Sequence, residues 1–209
     1  MLSIILAVII SYLIGSIPTA YIFGRVLKGI DIRKFGSGNV GATNAFRVLG
    51  KRAGIAVLFI DVLKGIFPVI FIGDYILLKG PIIPSLDILR IILGLSCVAG
   101  HNWTLFLNFK GGKGVATTFG VLIGLSFKVY GFGMVLGLVI LTWLITFIFV
   151  RIVSVSSVLA GIATPIFMIL FNKRSKGLIF FGILVAIFIV LRHLPNLKRF
   201  FQGKEKKLF

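Results

Sequence analysis

Three polar, glycine-rich segments interrupt an otherwise apolar chain, and they hold most of the side chains able to do chemistry. In residues 36–50, GSGNVGATNAFRVLG, glycines let the backbone approach a ligand closely. Ser37, Asn39, Thr43, Asn44 and Arg47 add hydrogen bonds suited to hydroxyls and phosphate. A flexible interfacial loop would share this composition, so the segment alone decides nothing. Residues 100–118, GHNWTLFLNFKGGKGVATT, are more specific. Lys110, Gly111, Gly112, Lys113 and Gly114 directly precede an apolar run predicted to be helical, where free backbone N–H groups, a helix N-terminus and two ammonium groups can cradle one phosphate. The spacing is not that of a Walker A loop: Gly114 follows Gly112 and Lys113 where Ser or Thr is needed, and Leu107 takes the first glycine position. In residues 192–205, RHLPNLKRFFQGKE, a helix would put His193, Asn196 and Arg199 on one face.

Two smaller features accompany these. Asp61 and Lys64 stand three apart within an apolar run and are expected to form an intramembrane pair, with a structural role set ahead of a catalytic one. Arg151, Ser154 and Ser157 open another apolar run. The acids are few and scattered, only Asp31, Asp61, Asp74, Asp87 and Glu205, which argues against metal–carboxylate chemistry, and no metal or other cofactor is expected. Cys97 has no partner for an intramolecular disulfide and is expected to be a small buried hydrophobe. The residues thus suggest a cationic, metal-free site with at least two phosphate-sized cradles, suited to an anionic head group joined to an acyl chain.

The elements that must position these segments follow from composition. The chain has 209 residues, 58% of them hydrophobic and only 13% charged, about half the charged share of a soluble domain, so an all-α integral membrane protein is expected. The net charge of +18 does not indicate nucleic acid, because the basic residues lie between long apolar runs rather than on a polar face. Seven transmembrane helices are predicted, over residues 1–24, 53–73, 91–107, 115–127, 130–150, 152–171 and 177–191, the fourth and seventh short. The first has no basic start and reads as a retained helix rather than a signal peptide, kinked at Pro18. If the termini lie on opposite sides, one face receives 16 Lys and Arg and the other 6, which predicts an outside N-terminus and a cytoplasmic C-terminus. The 172–176 turn, with Lys173, Arg174 and Lys176, runs against that bias. All three polar segments then face the cytoplasm. No linker or internal repeat is evident, and residues 1–209 are expected to form a single transmembrane helical domain.

Together the segments resemble the bacterial acylphosphate-dependent glycerol-3-phosphate acyltransferases, the PlsY family. Its pattern GSGNxGAxNxxR followed by DxxKG is matched by residues 36–47 and 61–65, its GH…F…FKGGKGVAT by Gly100-His101 and residues 109–117, its RHxxNxxRxxxGxE by residues 192–205, and its RxVSxxS by residues 151–157. The chain departs at Thr104, where the family is expected to have proline, and at Leu194 and Pro195, which replace more polar residues.

The resemblance implies transfer of a fatty acyl group from acyl phosphate to sn-glycerol 3-phosphate, giving 1-acyl-sn-glycerol 3-phosphate (lysophosphatidate) and phosphate, the first step of phospholipid biosynthesis, at the cytoplasmic face of the bacterial inner membrane. It implies that Ser37, Asn39, Asn44, Arg47, Lys110, Ser154, His193 and Asn196 bind glycerol 3-phosphate, with Lys113 the alternative to Lys110 as the loop lysine. It implies that Gly111, Gly112, Lys113, Gly114, Val115, Ala116 and Thr117 hold the acyl phosphate, and that His193, Lys113 and Arg47 serve catalysis. The base that takes the hydroxyl proton is either His193, whose ordinary pKa lies near neutrality, or the acyl phosphate itself. His101 is expected to support the loop. The partners implied are the two substrates and the bilayer, with no nucleic acid; protein partners are left open. Neither histidine is followed five residues on by Asp, so the HxxxxD pattern of thioester-dependent acyltransferases is absent. A transporter of organic phosphates or lipids is the competing class, though it usually carries paired repeats. A CDP-alcohol phosphotransferase would need an aspartate-rich metal site.

Overall fold

The structure, a computed structural model, describes residues 2–78, 86–171 and 175–208. Among these residues the chain is helical, without strands, and it divides into two compact units, Met1–Leu125 and Ser126–Phe209.

The first unit opens with α1 (Leu2–Ser16) and α2 (Thr19–Lys28), separated at Pro18. Proline removes a backbone donor and clashes with the preceding turn, so the predicted kink is a full break between two helices. The break frees carbonyls that must be satisfied inside an apolar bundle. Thr104 Oγ1 donates to Ser16 O and Lys64 Nζ donates to Ile17 O at 3.1 Å. Thr104, the departure from the family pattern, therefore supplies a hydrogen bond that proline has no donor to make.

A 3₁₀ turn (Ile32–Lys34) leads to α3 (Ala42–Leu49) and α4 (Lys51–Phe67), which a wide π turn (Pro68–Ile72) joins to α5 (Gly73–Leu78). Arg90 donates to the carbonyl of Val69 in that turn and pairs with Asp74, both at 2.5 Å. Then come α6 (Leu86–Asn102), a second 3₁₀ turn (Leu105–Leu107) and α7 (Val115–Lys128). Helices α1 and α6 touch backbone to backbone: a Cβ on Gly15 would lie 2.0 Å from Cys97 O, and one on Gly100 2.1 Å from Tyr12 O. Small residues at such crossings are the usual means of close helix packing in membranes. Cys97 is fully buried there, as its apolar surroundings suggest.

The second unit stacks α8 (Phe132–Val150), α9 (Val153–Phe171) and α10 (Lys176–Phe201) in sequence. Gly182 of α10 packs on Pro165 and Met168 of α9.

Among the described residues, six helical stretches are long and apolar enough to cross a bilayer, including Leu2–Lys28, Lys51–Leu78 and Asp87–Leu107. Val115–Lys128 is a shorter apolar helix of 14 residues, about 21 Å long, as expected of the fourth span. In α8 only 11% of the most apolar window is buried, so most of its side chains are left for lipid. The seventh element is not short. Helix α10 runs 26 residues, carrying the third polar segment as continuous helix past Arg192 and Pro195. The first charge ends the apolar run but not the helical hydrogen bonding. Of the 172–176 turn, residues 172–174 lie outside those described.

Candidate active site

In the first unit, two segments bear the expected ligands. Residues 36–41 form a loop that leads into α3 and is closed by Asn44. Its Oδ1 accepts from Ser37 N at 2.8 Å, and its Nδ2 donates to Phe35 O at 3.1 Å and Ile32 O at 3.3 Å. Asn44, expected as a ligand, is buried and its amide is spent on the loop, so it sets the place of Ser37. Gly36, at φ +61°, leaves no room for a side chain: a Cβ would lie 2.3 Å from Asn44 Oδ1. Ser37 is exposed, Asn39 half-buried beside Gly41, and Arg47 exposed in the last turn of α3. Asp31 lies just upstream, where the Arg33 guanidinium holds its carboxyl down to about 2, so its charge is fully committed.

The second segment is residues 110–114, between the end of α6 and the start of α7. Gly111 N donates to Asn102 O at 3.2 Å and Gly112 N to His101 O at 2.9 Å, so the loop lies on the C-terminal carbonyls of α6. Gly114, at φ +74°, turns the chain into α7, whose first residues are Val115, Ala116 and Thr117. Lys110 is exposed and Lys113 half-buried. Beneath the loop are four buried polar atoms that make no hydrogen bond to the protein: both amide atoms of Asn102 and the hydroxyls of Thr117 and Thr118. Buried orphan groups are rare exceptions in native proteins, and here they cluster at one loop. Asn102 and Thr118 were not among the expected site residues. Asn102 follows directly on Gly100-His101, and that adjacency was its only signal in the sequence.

In the second unit, α10 presents His193 and Asn196, 2% and 7% exposed, on one face as predicted. His193 Nδ1 lies 2.7 Å from Ile189 O. A carbonyl only accepts, so Nδ1 carries the proton and Nε2 is the basic nitrogen of the neutral ring. Downstream, the chain returns so that Leu208 N donates to Arg151 O at 3.0 Å. This brings Glu205 onto Ser154 Oγ at 3.0 Å, Asn196 Nδ2 at 2.5 Å and Arg199 Nε at 2.8 Å. Burial alone would raise the Glu205 carboxyl, but these three donors outweigh it and hold the group below its ordinary value. Glu205, which the residues alone had not singled out, thus joins three side chains of two motifs.

The match to the glycerol-3-phosphate acyltransferase family spans residues 5–203. The chain belongs to this family. Glycerol-3-phosphate acyltransferase of Macrococcus caseolyticus is 43% identical over 99% of this chain and 98% of its own length. Glycerol-3-phosphate acyltransferase 2 of Moorella thermoacetica is 42% identical over 98% and 97%. The fold is similar to crystal structures of PlsY (YgiH), an integral membrane glycerol 3-phosphate acyltransferase. Its glycerol 3-phosphate form gives a TM-score of 0.81 at 38% identity, covering 98% of this chain and 95% of that one. Its lysophosphatidic acid form gives 0.81 at 37%. The PlsY family resemblance, the all-helical fold and the integral membrane character therefore hold. The family motifs lie in the loops at Ser37 and at Lys110–Gly114 and on the α10 face at His193.

Proposed function

We propose that this family member transfers a fatty acyl group from acyl phosphate to sn-glycerol 3-phosphate, releasing phosphate and forming 1-acyl-sn-glycerol 3-phosphate, with the whole chain acting as one catalytic domain. The observation that carries the reading is the likeness, over nearly the whole chain, to an integral membrane glycerol 3-phosphate acyltransferase whose solved forms are named for glycerol 3-phosphate and lysophosphatidic acid.

The chemistry suits these residues. The glycerol C1 oxygen attacks the acyl carbonyl carbon, the bond from that carbon to the phosphate oxygen breaks, and phosphate leaves with the electron pair. An acyl phosphate already carries a good leaving group, so the enzyme's work is to hold two anions together and orient the hydroxyl. Ser37, Arg47 and Lys110 or Lys113 bind phosphate oxygens and offset the repulsion between substrates. The N–H groups of residues 111–117 receive the acyl phosphate, and apolar helices take its chain. His193, Asn196 and Ser154 bind glycerol 3-phosphate, and His193 Nε2 or the leaving phosphate takes the hydroxyl proton. Asn39 contributes a further hydrogen bond, and Asn44 acts by shaping the loop. The enzyme works in the bacterial inner membrane with its N-terminus outside and its site toward the cytoplasm, where the charge bias places all three motifs.

Purified protein given palmitoyl phosphate and glycerol 3-phosphate is expected to release phosphate and lysophosphatidate in equal amounts. Release of neither would overturn the proposal.

A further inference from the structure

One turn of α4 has no part in the chemistry above, yet it touches everything that holds the 110–114 loop. A loop of three glycines and two lysines has little packing of its own and loses much backbone entropy on ordering, so its shape must be imposed from outside. On its upstream side it lies on His101 and Asn102, and a Cβ on Gly112 would stand 2.1 Å from His101 Nε2, so the imidazole is the floor under Gly112. His101 Nδ1 in turn lies 3.9 Å from Asp61 Oδ1. That oxygen receives Lys64 Nζ at 2.8 Å and Thr19 Oγ1 at 2.9 Å, and Lys64 also holds Ile17 O at the Pro18 break. On the downstream side, a Cβ on Gly65 would lie 2.1 Å from Thr117 O and one on Gly120 2.0 Å from Val62 O, so the first turns of α7 rest against the same part of α4. The helices that enter and leave the loop are therefore both referenced to residues 61–65.

Satisfying Ile17 O and Thr19 does not by itself call for an ion pair. Asp61 and Lys64 are 1% and 6% exposed, and replacing a buried ion pair with apolar residues is often neutral or stabilising. A fixed register is the better-attested use of such groups. We infer that the Asp61–Lys64–Gly65 motif of α4 is the positioning device of the anion loop, setting Gly112 through His101 and the α7 N-terminus through Thr117. The inference rests on the reading that this loop holds a substrate phosphate.

The test is a charge-neutral double variant, Asp61→Asn with Lys64→Met, which leaves no uncompensated charge in the bundle, beside His101→Asn, which keeps a donor toward Asp61 but removes the ring under Gly112. His101→Asn is expected to melt within a few degrees of wild type, and the double variant somewhat lower because Ile17 O loses its donor. In both, the KM for acyl phosphate or for glycerol 3-phosphate should rise about 10- to 100-fold with kcat within about threefold, a scale borrowed from the loss of outer-shell partners at metal ligands. Which KM rises identifies the phosphate that the loop holds. Should the double variant fail to fold, His101→Asn decides alone. KM values within twofold of wild type for both substrates would overturn the inference. If wild type shows no acyl transfer, the proposed function fails separately, and titration with inorganic phosphate followed by ³¹P NMR decides the positioning role: weaker binding by the variants supports it, and equal binding or none by wild type overturns it.

Discussion

Arg47 is exposed in the last turn of α3 and Asn196 lies buried on α10, and both are proposed substrate ligands. A hydrogen bond to a charged partner contributes about 1.5–3 kcal/mol, so Arg47→Ala should lower kcat/KM by roughly 10- to 150-fold. Asn196→Ala should lower activity too, since it removes both a proposed ligand and a partner of Glu205. Lys206→Ala, in the basic tail, should stay within about twofold of wild type. Steady-state rates with acyl phosphate check all three, and equal losses at Arg47 and Lys206 would mean that these cations act only by attracting anions to the membrane. Thr104→Val strips a donor from the freed Ser16 carbonyl and should cost about 1–3 kcal/mol, read as a lower melting temperature in detergent. At this scale the sequence was legible wherever partners are close along the chain. Asp61 with Lys64 and His193 with Asn196 are i, i+3 pairs, and any helix brings them onto one face. Thr104 with Ser16, and Asn44 with Phe35, depend on where loops and breaks fall, which spacing along the chain does not disclose.

Among the elements, α10 and the tail after it are tied together through Glu205. The Glu205 carboxyl is depressed in the fold, so the contact it makes contributes stability above its ordinary value of 4.5 and loses that contribution as pH falls through the lower folded value. The melting difference between wild type and Glu205→Gln should therefore be constant above about pH 5.5 and shrink only below pH 4.5, measured by thermal unfolding across that range. A difference that disappears near pH 6 would mean that Glu205 is not held by Ser154, Asn196 and Arg199. Element existence was readable from the apolar runs, because the bilayer demands long helices. Element ends were not. The run of 177–191 stops at Arg192, whereas the hydrogen-bonded helix continues to Phe201.

For the molecule as a whole, the charge bias predicts orientation, and one buried thiol makes it measurable. Cys97 is fully buried, so a membrane-impermeant thiol reagent should leave the parent protein unlabelled. Lys206→Cys should label only after the inner membrane is opened, and Ser3→Cys from the periplasmic side in intact cells; the reverse pattern would invert the topology. The family was legible because its motifs are runs of fixed spacing. The division into units at Leu125 was not, since no linker composition marks it. The acyl donor separates this chemistry from thioester-dependent acylation, and it is read by giving the purified protein radiolabelled glycerol 3-phosphate with palmitoyl phosphate, palmitoyl-CoA or palmitoyl acyl carrier protein in separate reactions. Labelled lysophosphatidate should form with palmitoyl phosphate alone; formation from a thioester at a comparable rate would contradict the account.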